Sequence, residues 1–281
     1  MKRIMCVLLT GIVAVSCCQA ASQVCDAKTV KSEILGKEMK YAVYLPEGYA
    51  NSERSYPVLY LLHGYSDDQT GWVQFGEVQR IADQAIAAGR AAPMIIVMPD
   101  AEVTWYANDL KGQYRFEDYF LKELIPHVEG TYRCRPKKEF RAVAGLSMGG
   151  LGAFMYALRH PDLFASGCPL SGALWSREEM CKRLKLDEQG ESSDKVNAFL
   201  DQYCPVTLAE RFPEDQKKTL RLYIDCGDDD FLSADNARMH VLLMDKKIPH
   251  EFRVRDGAHS WEYWRTALPD VLEFVSKTFR R

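Results

Sequence analysis

No C-x-x-C pair occurs among the nine cysteines of this chain, so a zinc ribbon or a thioredoxin-type redox motif has no support. Runs of one charge sign are missing too. Lys137-Lys138 and Lys246-Lys247 are isolated pairs, and a net charge of −3 leaves no electrostatic footprint for nucleic acid. There is no internal repeat and no low-complexity tract, which excludes solenoids and fibrous arrays. The leading apolar stretch, Ile4 to Val15, is too short to span a bilayer comfortably.

That stretch reads as the centre of an export signal. Lys2-Arg3 precedes it, and the small residues Ser16, Cys17, Cys18 and Ala20-Ala21 follow. Residues 1–21 are therefore expected to be removed, by cleavage after Ala20 or Ala21. A second route ranks below it: Ala14-Val15-Ser16-Cys17 resembles a bacterial lipoprotein signal, with Ala where Leu is preferred. The mature protein is expected outside the cytoplasm, periplasmic, secreted or lipid-anchored on the envelope, with no integral span. Six cysteines then remain, and an even number in an exported chain permits disulfides. Cys168 and Cys226 lie in apolar runs and read as buried thiols; Cys181 and Cys204 flank one segment and are the candidate bridge.

At 47% apolar residues the chain holds enough material for a large core, and residues 22–281 are expected to form one α/β domain. Short apolar runs alternate with helical patterns. Strands are expected near 28–45 (a hairpin), 58–62, 94–98, 140–144, 165–170, 219–226 and 251–255. Helices are expected near 77–88, 116–128, 150–158, 234–246 and 266–279. This alternation argues for a mostly parallel central sheet with helices on both faces. Residues 173–212 break the rhythm, being charged and helix-prone, and read as a small helical cap.

In such sheets the ligand site lies at the carboxyl ends of the strands, and the chemistry-bearing residues collect there. Gly145-Leu146-Ser147-Met148-Gly149 joins an apolar strand to a helix that opens with small residues, the pattern of a nucleophile elbow. A serine nucleophile needs a base, then an acid to orient it. Among six histidines, His127, His160 and His240 lie on helices, His250 precedes a strand, and His63 precedes a glycine and suits an oxyanion loop. That leaves His259, in a loop after a strand, as the base. The acid falls in Asp228-Asp229-Asp230, also after a strand. Spacing alone does not choose among the three, and no alternating ligand pattern marks them as a calcium loop. The Met148 N–H and the Tyr65 N–H, after His63-Gly64, are the expected oxyanion donors. Trp72, Trp105, Tyr106, Trp175 and Trp261 fall on loops near these positions and are candidates for a platform under a sugar or a phenolic acid.

Taken together, His63-Gly64, Gly145-Leu146-Ser147-Met148-Gly149-Gly150, Gly227-Asp228-Asp229-Asp230-Phe231-Leu232 and Gly257-Ala258-His259-Ser260-Trp261 resemble the esterase D-like α/β-hydrolases. That group includes carbohydrate esterase family 1 (feruloyl and acetyl xylan esterases), tributyrin esterases, S-formylglutathione hydrolases and mycolyltransferases. The resemblance implies an α/β-hydrolase fold over about residues 28–280 in element order. It further implies a Ser147, His259, Asp230 triad, with Asp229 as the alternative acid, and no metal or organic cofactor. The implied substrate is a small ester or an acylated carbohydrate, with acetyl or feruloyl groups favoured by the export signal. A generic short-chain esterase, an S-formylglutathione hydrolase and an acyltransferase on the same triad are the alternatives.

Overall fold

The computed structural model describes residues 21–279; the expected export segment, Ala21 apart, lies outside them. Eight strands form one sheet in the order β1-β2-β4-β3-β5-β6-β7-β8. They are β1 (Gln23–Ser32), β2 (Lys37–Leu45), β3 (Val58–Leu62), β4 (Ile95–Pro99), β5 (Arg141–Leu146), β6 (Ser166–Leu170), β7 (Arg221–Gly227) and β8 (His250–Arg255). The β1–β2 hairpin and the β2–β4 pair are antiparallel; every other pairing is parallel. The mostly parallel sheet is therefore as expected.

The continuous apolar strands follow from burial on both faces. In β3, Val58, Tyr60 and Leu62 join one core, while Leu59 and Leu61 join the other. β4 divides in the same way, with Ile95 and Val97 against Ile96 and Met98. Each such fully buried side chain stabilises the fold by roughly 1.5–3 kcal/mol.

Two helices dominate one face. α2 (Val78–Ala87), which follows the short α1 (Gly71–Gln74), buries Val78, Ile81, Ala82 and Ala85 at helical spacing. α10 (Trp261–Phe279) packs beside it and begins five residues earlier than its expected start at Thr266. The reason is its apolar face, which already starts at Tyr263 and Trp264. On the other face, α3 (Phe116–Tyr119) passes through a π-helical turn (Phe120–Leu124) into α4 (Ile125–Thr131). α5 (Met148–Arg159) and α9 (Ser233–Asp245) complete that layer.

Residues 173–212 carry α6 (Arg177–Arg183), α7 (Ser193–Tyr203) and α8 (Pro205–Glu210). Buried Glu117 ties this segment to the body: it accepts from Arg159 and His160, and from the Tyr203 hydroxyl on α7. The candidate bridge in this segment is not formed. Cys204 is buried with its thiol toward the Trp175 carbonyl, Cys181 faces Asp187, and all six described cysteines are free. Cys168 and Cys226 are buried thiols as expected, and burial pushes the Cys226 thiol up to about 12. Among the described residues no helix is long and apolar enough to cross a membrane.

Candidate active site

Ser147 stands between β5 and α5 with φ 53° and ψ −113°, outside the regions that L-residues favour. The turn closes because glycine lies on each side of it. A Cβ on Gly145 would sit 2.4 Å from the Gly149 carbonyl oxygen, and one on Gly149 would sit 2.5 Å from the Leu62 carbonyl oxygen. Larger residues would force the helix away from the strand, and Ser147 would no longer face the sheet's carboxyl edge.

Two further loops bring side chains to it. His259, between β8 and α10, places Nε2 2.9 Å from Ser147 Oγ. Its Nδ1 lies 2.8 Å from Asp230 Oδ2, in the loop after β7. A carboxylate only accepts, so Nδ1 donates to Asp230 and Nε2 is left to accept from the serine hydroxyl. Asp229 and Asp228 are exposed and do not reach the histidine. With Asp256 they bring carboxylate oxygens within 4.8 Å of one another, a solvated acidic turn.

Burial alone would push the Asp230 carboxyl up. Hydrogen bonds from His259, the Leu232 N–H and the Ser171 hydroxyl outweigh burial and hold it below the usual carboxylate value. Ser171, one residue past β6, was not singled out by sequence. It is fully buried at φ 44°, and its Oγ accepts from the Trp264 indole N–H at 3.1 Å. Since an indole N–H only donates, Trp264 donates to Ser171, and Ser171 and His259 both donate to Asp230, which is the common acceptor. The signal for Trp264 was its place just after the histidine; for Ser171 there was none.

On the opposite side a neutral histidine ties down the start of the loop after β3. His63 is buried. Its Nδ1 donates to the Gly64 carbonyl at 2.7 Å, and its Nε2 accepts from the Ala101 N–H at 2.9 Å, joining the β3 and β4 loops. Desolvation lowers its pKa, so the ring stays neutral. A Cβ on Gly64 would lie 3.7 Å from Ser147 Cβ, so this loop abuts the serine directly. Met148, the first residue of α5, has an N–H with no intrahelical acceptor. The Tyr65 N–H donates to no protein acceptor among the described residues.

The five aromatic candidates separate into two groups. Trp72 and Tyr106 are fully buried and are corrected to structural residues. The Trp72 indole donates to the Leu62 carbonyl, and the Tyr106 hydroxyl donates to the His63 carbonyl, so both brace the loop after β3 from within. Trp105 and Trp261 are half-buried. Trp175 is buried behind Trp105, ring centroids 5.0 Å apart, and Tyr65 covers Trp105 from outside at 5.5 Å. Glu102, Trp105 and Tyr106 all have positive φ, a strain of order 1 kcal/mol or more at each. This backbone turns Tyr106 inward and leaves Trp105 half-exposed between Tyr65 and Trp175.

The Esterase family model matches residues 32–275. An endo-1,4-beta-xylanase/feruloyl esterase of Xylanibacter ruminicola is 37% identical over 261 residues, which are 89% of this chain and 31% of that protein. The chain thus spans about a third of that relative's length. A solved ferulic acid esterase superposes with a TM-score of 0.81 at 33% identity, covering 92% of this chain and 99% of that one. An S-formylglutathione hydrolase of Staphylococcus aureus has a TM-score of 0.74 at 24% identity, covering 92% and 100%; at that identity the likeness is one of fold alone.

Proposed function

The chain belongs to the Esterase family of α/β-hydrolases, and from that premise we propose that it is an exported serine esterase cleaving carbohydrate-linked feruloyl or acetyl esters. The observation that carries this reading is the hydrogen-bonded line from Asp230 through His259 to Ser147, set against two backbone N–H groups.

In this mechanism Ser147 Oγ attacks the ester carbonyl carbon while its proton passes to His259 Nε2. Asp230 holds the ring and stabilises the imidazolium. The oxyanion accepts from the Met148 and Tyr65 N–H groups. The ester C–O bond then breaks, and the departing alcohol oxygen takes the proton from Nε2. Water, deprotonated by His259, adds to the acyl-serine; collapse releases the carboxylic acid and returns the proton to Ser147. Ester and water become acid and alcohol, with no change of oxidation state and no metal or organic cofactor required. Ser147 and His259 are only half-buried, so water reaches the acyl-enzyme, which favours hydrolysis over transfer to a second alcohol.

The export segment and the relatives named feruloyl esterase support an acylated carbohydrate over a cytosolic thioester as the substrate. Nothing in the charge pattern supports a nucleic-acid partner. The test is a panel of acetyl, butyryl and feruloyl esters assayed on the mature protein. A higher kcat/KM for the feruloyl ester is the expected result; butyryl esters turning over faster would point to a generic short-chain esterase.

A further inference from the structure

β8 forms one edge of the sheet, and among the described residues no strand pairs with its outer side. Asp228, just past β7, donates its N–H to the Arg255 carbonyl, so Arg255 turns its backbone groups toward β7. Alternation along the strand then turns those of Val254, Phe252 and His250 outward. The Phe252 carbonyl accepts from the Arg253 guanidinium at 3.1 Å, as an outward-facing group can.

Apolar side chains collect around this open edge. Val254 is 54% exposed. Phe252 is half-buried and stacks on His240 of α9, ring centroids 4.5 Å apart. At helical spacing Ala237 and Met244 share the His240 flank of α9, and Val241 lies next to them. Val241 is 55% exposed and Met244 59%. Three of the seven large apolar side chains exposed among the described residues therefore lie on β8 or on this flank of α9, a concentration that marks an interaction surface. We propose that it pairs with the same surface of a second copy of the chain, joining the two β8 edges about a two-fold axis. The inference is independent of the chemistry proposed for Ser147.

The charges select both the occupant and the register. In an antiparallel pair centred on Phe252, the two copies of Phe252 exchange backbone hydrogen bonds, and His250 of each copy meets Val254 of the other. Glu251 of each copy then stands opposite Arg253 of the other, in two symmetric ion pairs. Within the single chain Glu251 and Arg253 pair with each other at 2.7 Å, so association exchanges one partner for an equivalent one. Moving the axis by one residue would set Arg253 against Arg253 or Glu251 against Glu251, and like charges directly opposite oppose pairing. Charged edges deter foreign strands; these charges admit an identical strand in this one register. The Arg253–Phe252 bond gives way to the new ladder, and Val254, Val241 and Met244 are covered in the same event.

Sedimentation equilibrium of the mature protein tests this, and a wild-type dimer at micromolar concentration is the expected result. Met244→Glu should raise the dissociation constant about tenfold with the far-UV circular dichroism unchanged. Glu251→Arg and Arg253→Glu should each be monomeric alone, because each sets like charges across the axis. Mixed together they should form a heterodimer, in which every cross-strand charge pair is again of opposite sign. That recovery also shows that both variants are folded. A wild-type monomer at about 100 μM would overturn the proposal, as would two variants that stay monomeric on mixing. A dimer that persists in all three variants would place the interface elsewhere. A monomer that instead binds phosphatidylglycerol vesicles, and loses that binding in Met244→Glu, would replace the second copy with a membrane surface.

Discussion

The two flanks of Ser147 are held by different physics. On the β3–β4 flank a core of neutral hydrogen bonds holds the loops, with His63 between Gly64 and Ala101, the Tyr106 hydroxyl on the His63 carbonyl, and the Tyr156 hydroxyl on the Tyr106 carbonyl, while the Lys37–Glu102 ion pair adds to the loop after β4. On the β6–β8 flank the fastenings are ionic. Asp230 is charged beneath His259, and fully buried Asp225 accepts from Tyr223, Tyr263 and Arg255. The Ser171 N–H binds the Asp225 carbonyl, joining the two acidic sites. The division suits the proposed chemistry. Oxyanion donors must stay still while charge builds in front of them, so a flank whose charge never changes serves them best. The acid–base flank must stabilise a transient imidazolium, which calls for a fixed negative charge.

The seam between the flanks is Ser147, and its removal should have the largest effect. Ser147→Ala is expected to lower kcat by about 10⁶-fold while leaving the thermal midpoint in place; residual turnover near wild type would remove the serine from the mechanism. Next comes the charge of the ionic flank. Asp230→Asn should cost about 10⁴-fold in kcat, while Asp229→Asn, at an exposed carboxylate, should stay within about twofold. The reverse order would move the acid to Asp229. A smaller loss tests how that charge is held. Ser171→Ala should cost on the order of tenfold in kcat at constant KM, and Trp264→Phe in the Ser171→Ala background should add little, because both act through one chain. Independent, additive losses would reduce both residues to packing.

The neutral flank has a pH signature of opposite origin. Burial lowers the His63 pKa, whereas an unfolded histidine titrates near about 6.5. Below that pH the unfolded chain binds a proton that the folded ring refuses. The stability tied to His63 is therefore complete above about pH 6.5 and is lost as pH falls, by about 1.4 kcal/mol per unit. His63→Gln should flatten the fall in thermal midpoint between about pH 7.5 and about pH 5.5. Burial also lowers the pKa of His127 and His250, so the difference between wild type and variant, rather than either curve, carries the result. Equal curves would mean that His63 is not held neutral.

The sequence displayed these flanks unequally. The elbow was legible because five contiguous residues carry it, and His259 because only one histidine follows a strand in the right place. Strand positions were legible because each interior strand is apolar on both faces. Side-chain direction was not: Trp105 and Tyr106 are neighbours in the chain, yet one lines a surface cleft and the other faces the core. Trp72 misled in the same way, since an indole in a connecting segment looks alike from sequence whether it meets a ligand or a carbonyl. Ser171 had no signal, because its role depends on Trp264, 93 residues away. The Cys181–Cys204 pairing was read from chain position, which says nothing about where two thiols point.

The central claim is that Ser147 is the activated nucleophile between these flanks. Its most direct test is reaction of the protein with a serine-directed phosphonate, followed by intact mass and peptide mapping. One adduct on Ser147, lost in Ser147→Ala and strongly slowed in His259→Ala, is the predicted result. No adduct, or an adduct on another serine at the same rate in all three proteins, would contradict it.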